Sequence, residues 1–443
     1  MKWQRTLAPS AAPLGWMDII AGVGGLFSPK RTRERLEGEF REMFGVRHVF
    51  FVSSGKAALL TILRALQRLS SRRKVVLPGY TCFSVPSAVV RAGLTVELCD
   101  VDTGTLDFDW PRLSCLVDSD TLCVVPTHLY GSVADIGHTR EICRPSGVFV
   151  VEDAAQALGA KSNGGFAGTL GDVAFFSFGR GKNVSCGSGG AILTSDERIA
   201  QAVAAEYRQL PKETVLGVLK NLLAVVLMQV FIRPALYWFP AGLPFLKLGE
   251  TRFEKDFPAL RMDPVRAGLL RTWKARLRSS TSVRLAHGEY CARRLGEAGV
   301  TVVKPPDRAS GVYLRLPVLL RSDQEKVAVC ELSKQKGLGV SGSYPTSLGD
   351  VPELQGLCRS RDVAQSNELA HRLVTVPTHP WLTDDDLDRI CKLFEDVQAE
   401  PARASVPNSD HESDAVVGFG LSRVSSRAGA TAGEEAVAKH GSR

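Results

Sequence analysis

The sequence predicts an α/β fold with a mostly parallel central sheet flanked by helices, followed by a smaller C-terminal α+β domain. Three observations lead there. Short β-rich apolar runs alternate with helical patterns from His48 onward, the signature of βαβ units. Two of these runs, Val148 to Glu152 and Val173 to Phe178, end in polar turns that carry Asp153 and, in a Gly-rich setting, Lys182. A carboxylate just past one strand and a lysine just past the next mark a cofactor site at the carboxyl edge of the sheet, where open α/β sheets bind ligands. At 443 residues and 44% hydrophobic content, the chain can bury a large core and still build a second domain.

Residues 1–24 form a lead-in with little pattern. Over Ser28–Phe44, SPKRTRERLEGEFREMF places Leu36, Phe40, Met43 and Phe44 on one helical face with charges around the rest. His48–Val52 reads as a strand, and Ser53-Ser54-Gly55-Lys56 turns from it into an apolar helix running to about Leu69. Small residues at a helix start expose backbone N–H groups, and the helix dipole draws an anion toward them. Gly55 and Lys56 are therefore candidate phosphate contacts, with the Lys56 side chain either adding its charge or facing solvent. Strands at Val75–Leu77, Thr95–Cys99 and Leu122–Val125 continue the alternation, with a helix from about Ser84 to Ala92. His128, at a strand end in an apolar loop, reads as a hydrogen-bonded structural residue and stays outside the catalytic set. Beyond a long basic helix to about Leu295, Tyr313–Leu319 and Val340–Tyr344 read as strands around an amphipathic helix from about Gln324 to Lys336. The large domain is expected over 25–280 and the small one over 281–399. Residues 400–443, rich in Ser, Ala, Gly and charge, read as a disordered tail.

The formal net charge is +8, much of the excess falling between Arg261 and Arg294. No nucleic-acid motif accompanies it. It reads as a solvated helix face, the other reading being a surface for anionic substrates or lipid. The ten cysteines, from Cys82 to Cys391, form no C-x-x-C pair and no His/Cys cluster at metal spacing. They fit the reduced, buried thiols of a cytosolic protein without a metal. The opening residues lack the apolar stretch of a signal peptide, and no internal repeat is evident.

Asp153 and Lys182 are the residue types that pyridoxal phosphate requires. That cofactor is an electron sink only while its ring nitrogen is protonated, which a buried carboxylate secures. Its aldehyde needs an amine to condense with, and the released amine must then move a proton between carbon centres, as a lysine of lowered pKa can.

The segments EDAAQALGA, GDVAFFSFGRGKN and GSGGAILT resemble those of the DegT/StrS-type sugar aminotransferases, pyridoxal-phosphate enzymes of the aspartate-aminotransferase fold, fold type I. The resemblance extends from about Gly25 to about Val397. It implies that Lys182 holds the cofactor, Asp153 pairs with the pyridine nitrogen, Gln156 lies against the ring's hydroxyl side and Ser177 contacts the phosphate. Asn183 follows the lysine as in relatives. Cys82 stands where many members lay an aromatic ring on the cofactor, leaving thiol packing, Tyr80 or Phe83 to take that part. Gly179-Arg180-Gly181 replaces a His-Pro-Thr and Ser188 a glutamate, so the substrate pocket departs from the usual one. FPALRMDPVRAGLL, Phe257 to Leu270, resembles a segment that in relatives enters the neighbouring subunit's active site. Arg261 is kept there as an anion clamp toward substrate, whereas Ala259 and Arg266 replace an Asn and a Gln. RLVTVPTHP and WLTDDDLDRICKLF resemble the family's closing strand and helix, the latter capped by Thr383 with Asp386 three residues on.

Thr214 to Leu248, TVLGVLKNLLAVVLMQVFIRPALYWFPAGLPFLKL, is unusual, because the family crosses this region with a short polar connection. Val215 to Ile232 is almost long enough to span a bilayer. Lys220, Asn221 and Gln229 interrupt it, however, and Pro234 breaks the stretch beyond it, which argues against a transmembrane helix. Two readings stand. One is a monotopic membrane element with Tyr237 and Trp238 at headgroup level beside Lys212, Arg233 and Lys247. The other is a helical pair buried at a subunit contact.

The protein expected from these readings is a homodimeric aminotransferase with shared active sites, moving an amino group from glutamate to a keto-sugar nucleotide. It would be cytoplasmic, at the inner face of the cell membrane if the insertion touches lipid. Related dehydratases carry a histidine in place of the lysine, so Lys182 argues for transamination. One alternative is the same chemistry on a lipid-linked or membrane-presented ketone. Another is a non-catalytic regulatory protein on this scaffold, for which Cys82, Ala259 and Ser188 speak.

Overall fold

A computed structural model describes residues 5–243, 251–304 and 309–399. The expected tail over 400–443 lies outside the described residues, as does Lys247.

The central sheet has seven strands in the order His48–Val52, Gly190–Thr194, Val173–Ser177, Phe149–Asp153, Thr121–Val124, Lys74–Pro78, Thr95–Cys99. Neighbours from Val173–Ser177 to Thr95–Cys99 pair in parallel. Gly190–Thr194 runs antiparallel to both of its neighbours. Both faces of the sheet are covered by helices, so Val75, Val76, Leu77, Leu122, Val124 and Val151 are all buried. That is why these runs are apolar without alternation. The helix Gly55–Leu69 buries Ala58, Leu59, Ile62 and Leu66 against one face. On the other side Pro29–Phe44 buries Leu36, Phe40 and Phe44, the face its spacing predicts. There Phe40 meets Trp273 at 4.2 Å between ring centroids and Phe51 edge-on at 5.1 Å.

A smaller antiparallel sheet comes next, in the order Thr301–Val302, Arg315–Leu319, Leu373–Pro377, Ser341–Gly342. The helices Trp273–Glu297, Asp323–Lys336 and Asp384–Ala399 enclose its core. Thr383 and Asp386 exchange side-chain and backbone hydrogen bonds at 3.0 and 3.3 Å, the expected capping box. The strand expected over Val340–Tyr344 shrinks to Ser341–Gly342. Tyr344 is instead drawn to Gln156, whose Nε2 donates to its hydroxyl at 3.0 Å.

The lead-in is not featureless. Leu7, Ala8, Ala11, Ala12 and Leu14 are buried, and Trp16–Gly25 is a helix packed on the helix Pro264–Leu269. Residues 5–12 run as an extended strap held mainly through backbone groups. The Thr6 N–H donates to Pro234 O at 2.9 Å and the Leu7 N–H to Gly337 O at 2.8 Å. Arg284 donates to Ala11 O at 2.6 Å, His379 to Ala8 O at 2.9 Å and Arg315 to Pro9 O at 3.1 Å.

The apolar insertion folds, as far as Leu243, into the helix Val215–Phe231, capped by Thr214, and a short turn of helix at Trp238–Ala241. Its inner side packs on the core of Phe40 and Trp273 through Val218, Leu222, Val225 and Val226. Among the described residues, no helix is long and apolar enough to cross a membrane.

Candidate active site

Strand register builds the site. Asp153 ends its strand opposite Phe175, two residues short of Ser177 on the adjoining strand. Ser177 pairs with Gly190, and Gly190 in turn with Val52, the residue that leads into Ser53-Ser54-Gly55. Three chain segments thus meet at one edge. The helix start comes so close to Ser177 that a Cβ on Gly55 would lie 3.1 Å from Ser177 Cβ. Ser54 Oγ accepts from Ala57 N–H at 3.1 Å, and the N–H groups of Gly55 and Lys56 open the helix beside it. This is a cradle of the kind that holds a phosphate.

Lys182 lies five residues past Ser177 and lines a cavity of about 750 Å³ together with Cys82, Tyr130, Gln156, Arg315 and Tyr344. Burial lowers the pKa of its ammonium, while Cys82 and Asp153 act in the opposite direction. Asp153 is fully enclosed, and burial raises its pKa, opposed by the Ala155 N–H donating to Oδ1 at 3.0 Å and by the charge of Lys182. The buried carboxylate and the lysine are within electrostatic reach of one another, and the strand that ends in Asp153 adjoins the one that ends in Ser177, although neither Asp153 nor the cradle is among the residues that line the lysine's cavity. These donor types fit pyridoxal phosphate: Gly55 and Ser177 for the phosphate, Asp153 for the ring nitrogen, Lys182 for the aldehyde.

Other expected residues are distributed less evenly. Gln156 lines the cavity, its Oε1 accepting from Tyr130 N–H at 3.2 Å. Cys82 lines it too, whereas Tyr80 and Phe83 are buried against the Tyr344 ring, at 5.3 and 6.4 Å. Cys82, rather than either ring, therefore lines the cavity of Lys182. Lys56 is a correction: its ammonium is paired with Glu254 and lies over the Phe257 ring, so only its backbone belongs to the cradle. Asn183 is another. Its amide donates to Leu158 O at 3.1 Å and Thr281 Oγ1 at 3.0 Å and accepts from Ser280 at 2.7 Å, which makes it a brace between the lysine loop and the long helix. Arg261 lines a separate cavity with Arg33, Arg41, His48 and Tyr207, and donates to the carbonyls of Tyr207 and Arg208 at 3.2 and 2.6 Å. Ser188 turns its hydroxyl to Ser53 O at 2.7 Å. His128 is structural, as expected: its Nδ1 accepts from Ala134 N–H at 3.0 Å, so its Nε2 donates to Glu152 at 2.9 Å.

The structure adds residues that sequence reasoning missed. Arg315 starts a strand of the small sheet and faces the cavity. Among the described residues it makes no ion pair with a carboxylate, and burial lowers its pKa. Tyr130 takes a left-handed backbone at φ 55°, held by bonds to Gln156 and Leu314. Such strain persists only where the surroundings fix it. Its hydroxyl is pushed up to about 12 by burial. Pro9 and Ser10 of the strap also line the cavity, and Ser10 Oγ donates to Gly181 O at 2.5 Å, next to the lysine. The Tyr-Gly pair at 130–131 carried a turn signal; the strap carried none.

The chain is similar to known proteins. The chain is 35% identical to GDP-perosamine synthase of Caulobacter vibrioides over 37% of its own length and 44% of the relative's. It is 32% identical to UDP-N-acetyl-3-dehydro-alpha-D-glucosamine 3-aminotransferase of Acidithiobacillus ferrooxidans, over 41% and 51%. The chain thus spans about half the length of the curated relatives it matches. The crystal structure of the Helicobacter pylori aminotransferase involved in pseudoaminic acid biosynthesis superposes with a TM-score of 0.73 at 16% identity, covering 88% of this chain and 99% of that one. At that identity the likeness speaks for the fold, the PLP-dependent transferase fold type I. The family pattern of the DegT/DnrJ/EryC1/StrS aminotransferases matches residues 23–213 and 251–395, stopping and resuming on either side of the apolar insertion. The match covers well over half of the sequence, and the chain belongs to the DegT/DnrJ/EryC1/StrS aminotransferase family.

Proposed function

We propose that the protein is a pyridoxal-phosphate-dependent aminotransferase that moves the amino group of glutamate to the ketone of an activated keto-sugar. The observation that carries this is Lys182 and Asp153 within electrostatic reach of one another beside the Gly55–Ser177 cradle. Pyridoxal phosphate, when bound, supplies an aldehyde that exchanges amines and a ring that takes up electrons. Ser177 and the helix start at Gly55 seat the phosphate. Asp153 keeps a proton on the ring nitrogen. Lys182, whose ammonium gives up its proton more readily because it is partly buried, takes and returns a proton at Nζ. Glutamate leaves as 2-oxoglutarate, and the ketone leaves as an amine.

The relatives' names speak for a keto-sugar on a nucleotide carrier. A lipid carrier is the second reading, favoured by the apolar wall that the insertion gives the cavity. The protein acts as a homodimer in which Arg261 reaches the neighbouring subunit's substrate, and it works in the cytoplasm at the inner membrane face.

The test is the visible absorbance of the purified protein with pyridoxal phosphate, for wild type and Lys182→Ala, before and after glutamate. The expected result is a protein-bound cofactor band, absent in the variant and bleached by glutamate in the wild type. A wild-type spectrum identical to that of free cofactor would sink the proposal.

A further inference from the structure

We propose that the catalytic cavity contains an apolar subsite for a hydrocarbon chain, and that the acceptor ketone is carried on a phosphate-linked lipid. This rests on the aminotransferase reading and names its substrate class. Leu227, Met228, Phe231, Ile232, Phe239 and Leu243 line the cavity that also contains Lys182. All six belong to 214–250, the stretch the family pattern skips. The same cavity is lined by the cationic side chains of Arg180 and Arg315. Anion-binding groups and an oily wall in one chamber match an amphiphile: a phosphate-bearing head among the cations, a chain along the wall.

The wall has an outlet. Leu227 and Phe239 line the cavity yet are 47% and 42% exposed, so the apolar lining continues to the protein surface. A chain longer than the cavity can therefore leave along it. A nucleobase fits this wall less well. Its edge needs hydrogen-bond partners, and among the described lining residues of the insertion only Tyr237 offers a polar side chain. The wall is also fixed in place. Gly187, in the loop after Lys182, admits Val225 so closely that a Cβ there would lie 2.6 Å from Val225 Cγ2.

Binding of farnesyl phosphate, methyl phosphate and UMP to the full chain loaded with pyridoxal phosphate tests this, with the cofactor band recorded on the same samples. Farnesyl phosphate, below its micelle concentration, should bind at least about tenfold more tightly than either of the other two. Leu227→Glu, on the cavity wall, should lose at least about tenfold of that affinity. Leu219→Glu, on the same helix but outside the cavity lining and 56% exposed, should stay within about twofold. Equal affinity for the two alkyl phosphates, tighter binding of UMP, or an equal loss in both variants would overturn the subsite. The last of these would mean adsorption on the outer face. A missing cofactor band would sink the aminotransferase reading instead, and the chain selectivity would still decide the subsite.

Discussion

Asp153 sits under opposing influences: burial favours its neutral acid, while the Ala155 N–H and the charge of Lys182 favour the carboxylate. Its usefulness depends on the second pair, because only the charged form can hold a proton on a pyridine nitrogen. Asp153→Asn keeps the size and removes the charge. The variant should still bind pyridoxal phosphate, since Lys182 and the cradle are untouched, but its reaction with glutamate should slow by on the order of a hundredfold or more. Stopped-flow bleaching of the cofactor band measures this, and an unchanged rate would remove Asp153 from the chemistry. Its neighbour Glu152 has a different task, taking N–H groups of Gly168, Leu170 and Gly171 as well as His128. At this scale the sequence was informative where function follows a strand end. Asp153 and Lys182 could be singled out because each follows a strand, and Ser177 through the family resemblance; the strands that end in Asp153 and Ser177 adjoin. The fate of Lys56 could not be read, because Glu254, which takes its charge, is 198 residues away in the chain.

Among the elements, the strand and helix runs of the large sheet were legible through apolar continuity and period, and the structure keeps them with end shifts of a residue or two. The strap over residues 5–12 was not. It has neither period, because it pairs with no neighbouring strand, and over half of its bonds use backbone N–H and carbonyl groups, which any sequence offers. What it does need is polar partners elsewhere, and these are buried. Arg284 meets Ala11 O, and His379 meets Ala8 O while its Nδ1 accepts from Trp381 N–H at 3.3 Å. Burial holds the His379 imidazole down at about 3, against an ordinary 6.5. The folded chain therefore keeps the ring neutral in a range where the unfolded chain protonates it. Its contribution to stability is whole above about pH 6.5 and declines by about 1.4 kcal/mol per unit as pH falls from there toward about 3. Urea midpoints between about pH 7 and 4 should accordingly fall with acidification, and His379→Gln should flatten that slope. Parallel slopes for the two proteins would show that the histidine bonded to the strap does not set the acid limit.

At the scale of the whole molecule the question is whether one chain completes a site. Arg261, expected as an anion clamp, does not line the cavity of Lys182 in its own chain; it lines a second one of about 370 Å³. There Arg33, Arg41 and Arg208 surround it with positive charge, and Glu37 is the one carboxylate among the lining residues. Among the described residues no lysine lines this recess, and a second copy that presents its cavity there would supply one. Subunit mixing decides this. Lys182→Ala should fail with glutamate for want of the amine, and Arg261→Glu for want of the clamp. In a two-fold dimer with shared sites, mixing the two variants after dissociation leaves half the dimers heterologous. In each of those, one site draws its lysine from one chain and its arginine from the other, while the remaining site has both lesions. About a quarter of all sites should then react at the wild-type rate. No recovery on mixing, with dimers confirmed by sedimentation, would mean that each subunit builds its own site and that the basic recess around Arg261 serves a different anion.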